Sequence, residues 1–84
     1  MTFELTYSQK AHEQLKKLEE ENRTRILSVL ERIRIRPYSH ITKLVGSPYF
    51  RLRVGDYRVI LDIRENKLII LVLEIGHRKN IYKK

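Results

Sequence analysis

The stretch Tyr49-Phe-Arg-Leu-Arg-Val-Gly-Asp-Tyr-Arg-Val-Ile-Leu-Asp-Ile63 decides the fold. Side chains of a strand alternate between the two faces of a sheet, and Gly55-Asp56 supplies a two-residue hairpin turn. In the register this turn dictates, Val54 faces Tyr57, Arg53 faces Arg58 and Leu52 faces Val59. Phe50, Leu52, Val54, Tyr57, Val59 and Leu61 then share one face, the core face. Arg51, Arg53 and Arg58 share the other. Like charges directly opposite one another destabilise a sheet. Cross-strand arginines therefore imply an anion between them, or carboxylates close by, and a phosphate clamp is the functional hypothesis that follows.

Upstream of this hairpin, Thr2 to Tyr7 alternates with Phe3, Leu5 and Tyr7 on one side, which predicts a first strand. Ser8 is placed to cap a helix. Ala11, Leu15 and Leu18 follow with helical spacing, so helix 1 is expected from about Gln9 to Glu20. Asn22 is expected to cap a second helix, whose apolar face carries Ile26, Val29, Leu30 and Ile33. Pro37 stops that helix, because proline disfavours helical geometry in the residue before it. A short link between the two helices predicts an antiparallel helical hairpin. Pro37 to Pro48 reads as a loop tacked to the core by Ile41 and Leu44.

Downstream, strands are expected at Tyr49–Val54, Tyr57–Ile63 and Lys67–Ile75, with Asn66 in the second turn. The last strand is apolar on both faces, as in a central or covered strand, and its register is not fixed by its pattern. The expected architecture is α+β: an N-terminal strand, a two-helix hairpin, then a three-strand antiparallel meander. These strands form one four-stranded sheet with the helices on one face. Residues 1–84 are expected to make a single domain.

With 18 basic against 10 acidic residues the formal net charge is +8. Such an excess in so short a chain favours a polyanion, nucleic acid first and anionic membrane second. The chain has no cysteine, so neither a disulfide framework nor a thiolate metal site can form. Met1-Thr-Phe-Glu-Leu lacks the basic start and long apolar core of a signal peptide. The run Leu68 to Leu73 is too short to cross a bilayer. A soluble, cytoplasmic protein is expected.

No HExxH, GxSxG, P-loop or GxGxxG pattern occurs. His12, His40 and His77 lack metal-ligand spacing, so no metal and no cofactor are expected. What remains is a basic site. Arg51, Arg53, Arg58 and Arg78 are candidate phosphate ligands, since a guanidinium pairs bidentately with phosphate oxygens and keeps its proton at every working pH. The competing interpretation of Arg53 and Arg58 is a surface ladder neutralised by Asp62 or Glu74. His77 offers an imidazole, suited to moving protons near neutral pH, or is a loop histidine without a task. Tyr82 offers a ring to stack on a base or a hydroxyl for a reacting oxygen, or simply packs on a sheet edge. The arginines of helix 2 read as a solvated face able to touch RNA by charge alone. An RNA 2′-hydroxyl attacks its own phosphate readily once the backbone is aligned and the developing charge neutralised, so arginines suffice for cleavage without a metal.

Arg53-Val-Gly-Asp-Tyr-Arg-Val-Ile60, followed by Val72-Leu-Glu-Ile-Gly-His-Arg-Lys-Asn-Ile-Tyr82, resembles the RelE toxins of bacterial and archaeal toxin–antitoxin systems. The resemblance spans nearly the whole chain, including its order of elements. It implies a ribosome-dependent messenger RNA interferase that cuts the codon in the ribosomal A site and leaves a 2′,3′-cyclic phosphate. By position, Arg51 and Arg53 correspond to basic residues acting on the scissile phosphate, and Arg58 to a transition-state arginine. Arg78, with Lys79 beside it, corresponds to the basic end of the last strand. Tyr82 corresponds to a C-terminal tyrosine of stacking or proton transfer. The second strand carries arginine where the family typically has lysine, which leaves His77 as a candidate for proton transfer. The partners implied are a RelB-like antitoxin, acidic where it meets the arginines, and the ribosome with its message. Neither a membrane nor a small-molecule cofactor is implied. The related ParE toxins share this fold and inhibit DNA gyrase without cutting RNA. A plain RNA-binding module is the third alternative.

Overall fold

The computed structural model describes residues 2–77. Its elements are β1 (Glu4–Tyr7), α1 (Gln9–Lys16), α2 (Glu20–Arg32), β2 (Thr42–Lys43), β3 (Phe50–Val54), β4 (Tyr57–Arg64) and β5 (Ile69–His77). The strands form one sheet in the order β1-β5-β4-β3-β2. β1 runs parallel to β5, and all other pairs are antiparallel. The fold class is α+β, as expected. The sheet has five strands rather than four, because Thr42 and Lys43 leave the expected loop to pair with Arg51 and Phe50.

The β3–β4 hairpin keeps the expected register: Val54 opposite Tyr57, Arg53 opposite Arg58, Leu52 opposite Val59. Gly55 takes φ +59°, whereas Asp56 does not have a positive φ. One positive φ at the first central residue is the pattern of a type II′ turn, for which glycine is the preferred residue.

Helix boundaries depart from expectation at several points. Ser8 does cap α1, its Oγ accepting from Ala11 N at 3.0 Å. That helix stops at Lys16 instead of Glu20. Arg23 explains how the early end is tolerated: its Nη1 donates to the carbonyls of Leu18 at 2.8 Å and Leu15 at 3.4 Å. A cation on the last carbonyls of a helix satisfies acceptors that have no partner within it. α2 begins after Glu19, not after Asn22, and ends at Arg32, with Ile33 as its C-cap, well before Pro37.

Phe3, Ala11, Leu15, Ile26, Leu30 and Ile33 meet Leu52, Val54, Val59, Leu61, Ile70, Val72 and Ile75 in one core between the helices and the sheet. The last of these sheet residues breaks the alternation of its strand. Leu61 pairs with Val72 but Ile60 with Glu74, so Leu73 is an extra residue and β5 carries a bulge. The bulge shifts parity by one. Without it Glu74 would point into the core; with it Ile75 does, and Glu74 joins Ile60 on the opposite face. The bulged segment is held from α1. Ser8 Oγ donates to Leu73 O at 2.8 Å, and Ile75 N donates to Gln14 Oε1 at 2.6 Å.

Candidate functional site: a basic sheet face and the hairpin end

The face of the sheet turned away from the helices carries Arg51 and Arg53 from β3 and Arg58 from β4. Arg58 stands opposite Arg53 on one side and Gly76 on the other. Directly opposed residues in such a ladder have Cβ atoms roughly 4.5–5.5 Å apart. Arg51 follows two residues along β3, opposite Ile60 and Thr42.

The three arginines differ in exposure. Arg53 is exposed and Arg51 half-buried. Arg58 is 1% exposed and is the largest fully buried side chain among the described residues. The sequence puts Arg58 on an open face; the structure encloses it. A buried charge demands hydrogen-bond partners, and Arg58 is engaged in the fold, as Arg51 is. Of the two carboxylates that could neutralise the ladder, Glu74 is, like Arg51 and Arg58, engaged further in the fold. Asp62 accepts from Arg64 Nε at 2.7 Å, and Lys10 Nζ stands 3.6 Å from Glu74.

His77 lies elsewhere. It pairs with Tyr57, so it belongs to the helix side of the sheet. Its ring meets the Tyr57 ring edge-on, with centroids 5.6 Å apart and planes at 76°. The expectation that His77 stands with the arginines is corrected: the bulge, by shifting parity, sends Gly76 to the arginine face and His77 to the other. Arg78, Lys79 and Tyr82 lie outside the described residues.

The arginines of α2 separate into different roles. Arg23 holds the end of α1. Arg34 donates to Phe3 O and to Glu31, both at 2.8 Å. Arg25 was legible only as part of a solvated helical face, yet its guanidinium lies over the hairpin turn. A Cβ placed on Gly55 would stand 3.1 Å from its Nη1. Asn22, expected as a cap, instead donates from Nδ2 to Tyr57 Oη at 3.5 Å. Asn22, Arg25, Ile26, Val54, Asp56, Tyr57 and His77 line a cavity of ≈ 230 Å³ at this end of the sheet. Nothing in the spacing of the sequence indicates which turn of α2 meets the hairpin. No group of three or more His, Cys, Asp or Glu residues suited to a metal ion occurs among the described residues, and none of their helices is long and apolar enough to cross a membrane.

A sheet backed by two helices, with a basic outer face, defines a small α+β domain suited to an anionic partner. The sequence matches the family described as ParE toxin of type II toxin-antitoxin system, parDE, over residues 5–82, and the chain belongs to that family, within the RelE/ParE superfamily. Solved structures of the same fold include the toxin–antitoxin complex RelBE2 from Mycobacterium tuberculosis, 18% identical with a TM-score of 0.86, covering 93% of this chain and 100% of that one. The archaeal RelE–RelB complex from Pyrococcus horikoshii is 25% identical with a TM-score of 0.79, covering 93% and 97%. The RelB–RelE complex from Methanococcus jannaschii is 26% identical with a TM-score of 0.70, covering 92% and 94%. No curated protein matches the sequence.

Proposed function

We propose that this toxin is a cytoplasmic, ribosome-dependent endoribonuclease that cleaves messenger RNA in the ribosomal A site and so blocks translation. The observation that carries the proposal is the cross-strand pair Arg53–Arg58, with Arg51 beside it on the same face. The likeness to RelE structures at 25–26% identity supports it. In the reaction, the 2′-oxygen of the nucleotide before the cut forms a bond to the adjacent phosphorus. The bond from phosphorus to the 5′-oxygen breaks, the 2′-hydroxyl loses its proton, and the leaving oxygen gains one. The products are a 2′,3′-cyclic phosphate and a free 5′-hydroxyl. No oxidant, metal or cofactor enters this balance.

Arg53, which is exposed, is assigned to the non-bridging oxygens, whose charge grows in the transition state, and Arg58 to a fixed positive charge beneath it. The enclosed Arg58 is fixed before substrate arrives, which avoids reorganisation at the moment of reaction. Arg51 and, from the family resemblance, Arg78 and Lys79 grip neighbouring phosphates. Tyr82 is assigned to base stacking or the leaving-group proton. Because of its place beside Tyr57, His77 is assigned no proton transfer at this phosphate. The partner is a RelB-like antitoxin carrying carboxylates against the arginine face.

The test is primer extension on a translated message, with purified protein in the presence and absence of ribosomes. Cuts within codons are expected with ribosomes. Arg53→Ala is expected to lower their rate by about 10²–10³, the usual loss for one donor to a developing oxyanion. Arg53→Lys, which keeps the charge and loses the bidentate fork, recovers only part of it. An uncut message with native circular dichroism for the unaltered chain would overturn the proposal. The match to the ParE toxin family favours a second reading, the inhibition of DNA gyrase that the resemblance to ParE toxins implies. Under it, supercoiling by gyrase stops while messages stay whole.

A further inference from the structure

The cavity at the hairpin end lies on the helix side of the sheet, away from the arginine face. Its floor is apolar, made by the buried Ile26 and Val54. The rest of its lining comes from Asn22, Arg25, Asp56, Tyr57 and His77. At ≈ 230 Å³ it is smaller than the ~300–1,000 Å³ of pockets for drug-sized ligands. It suits one planar heterocycle.

The charges narrow the ligand further. Asp56 in the wall disfavours a bare phosphate, and Arg25 disfavours a metal cation. A neutral ring with both donors and acceptors on its rim satisfies every wall. An amide carries two donor hydrogens and an acceptor oxygen, of which the 3.5 Å contact with Tyr57 uses one hydrogen. A carboxylate accepts from an exocyclic amino group, as aspartate does from cytosine N4. Aromatic rings and a guanidinium plane are the surfaces on which unpaired RNA bases stack.

The position along the sheet fits as well. The pair Val54–Tyr57 follows Arg53–Arg58 in the ladder, one residue or about 3.3 Å nearer the turn. The two sites lie on opposite faces, with Gly55-Asp56 as the lip between them. Gly55, having no side chain, lets Arg25 lie on that lip and carry positive charge around it.

We propose that this cavity is a base-binding subsite for single-stranded RNA, taking one nucleobase with an exocyclic amino group while a neighbouring phosphate rests on the arginine face. Arg25 and one of the two nearly perpendicular rings stack on the base, the other ring meets its edge, and Asn22 and Asp56 bond the base edge. The inference rests on the reading of RNA as substrate and adds which part of it the helix side holds.

The test is an amide-resolved NMR titration of the full chain with 2′-O-methyl tetracytidylate, which cannot be cleaved, with 2′-O-methyl tetrauridylate, and with pyrophosphate as a base-free anion. Saturable shifts at Asn22, Asp56 and His77 are expected with tetracytidylate, at least about fivefold tighter than with tetrauridylate. Pyrophosphate should shift arginine-face amides only. Asn22→Ala and Asp56→Asn should each weaken tetracytidylate at least about fivefold, with pyrophosphate affinity as the control for a folded chain. Shifts in the cavity with pyrophosphate, equal affinity for the two oligonucleotides, or unaltered tetracytidylate binding by both variants would overturn it. The readout requires no cleavage. An uncut message with these shifts present refutes the nuclease and keeps the subsite; cleavage with a silent cavity does the reverse.

Discussion

Arg58 and Tyr7 show how one side chain takes its properties from its surroundings. Alternation alone assigns Arg58 to the outer face, and the structure keeps it there. Its enclosure, with Arg53 on one side of it and Gly76 on the other, is not something alternation can give. Tyr7 sits at the end of β1, half-buried against the core and near Glu31 of α2. Burial first, and the Glu31 carboxylate second, raise its pKa above the ordinary 10.0. For an acid with a raised folded-state pKa, the neutral form is the one the fold favours. The stability it contributes is present below pH ~10 and is lost as pH climbs through the folded value. Ultraviolet titration at high pH should therefore show a late-ionising phenol that Tyr7→Phe removes, and Glu31→Gln should bring that ionisation earlier.

Among the elements, α1 and β5 are fastened to each other through Ser8. Its hydroxyl accepts from Ala11 N and donates to Leu73 O, so one oxygen caps the helix and holds the bulged strand. Ser8→Ala removes both bonds. A cap is worth about 1 kcal/mol and a buried hydrogen bond about as much again. Equilibrium unfolding in urea should show a loss of about 2 kcal/mol. A loss confined to a few tenths would mean that the bulge does not depend on this link. The sequence announced Ser8 as a cap through the apolar spacing that follows it. It could not announce the second bond, because Leu73 is 65 residues away.

Across the molecule, charge is divided between holding the fold and meeting a partner. Of the 18 basic residues, Arg23 and Arg34 close helix ends and loops, and Arg64 and Lys10 face carboxylates. Arg53 stays exposed on the sheet, at the part of β3 that β2 does not cover. Single-stranded RNA binding loses affinity with salt in proportion to the phosphates neutralised, with a slope of roughly 0.7 per contact. Arg53→Ala should reduce the slope of log K against log salt by about that amount. Arg23→Ala, which breaks a structural bond, should lower the melting temperature and leave the slope alone. Fluorescence anisotropy of a labelled oligonucleotide across a salt series checks both.

The sequence by itself determined the β3–β4 hairpin, its register and the side on which Arg51, Arg53 and Arg58 stand. A two-residue turn fixes pairing locally, and alternation then fixes every face. It also determined the apolar stripes of both helices and the cap at Ser8. Only the tertiary structure decided the register of β5, whose residues are apolar on both faces and so carry no pattern to choose by. That choice was made by long-range bonds from Ser8 and Gln14, and the bulge they hold sends Glu74 outward, Ile75 inward and His77 away from the arginines. The meeting of Arg25 and Asn22 with the hairpin end was likewise settled by packing, because the angle at which a helix crosses a sheet depends on contacts among residues distant in the chain.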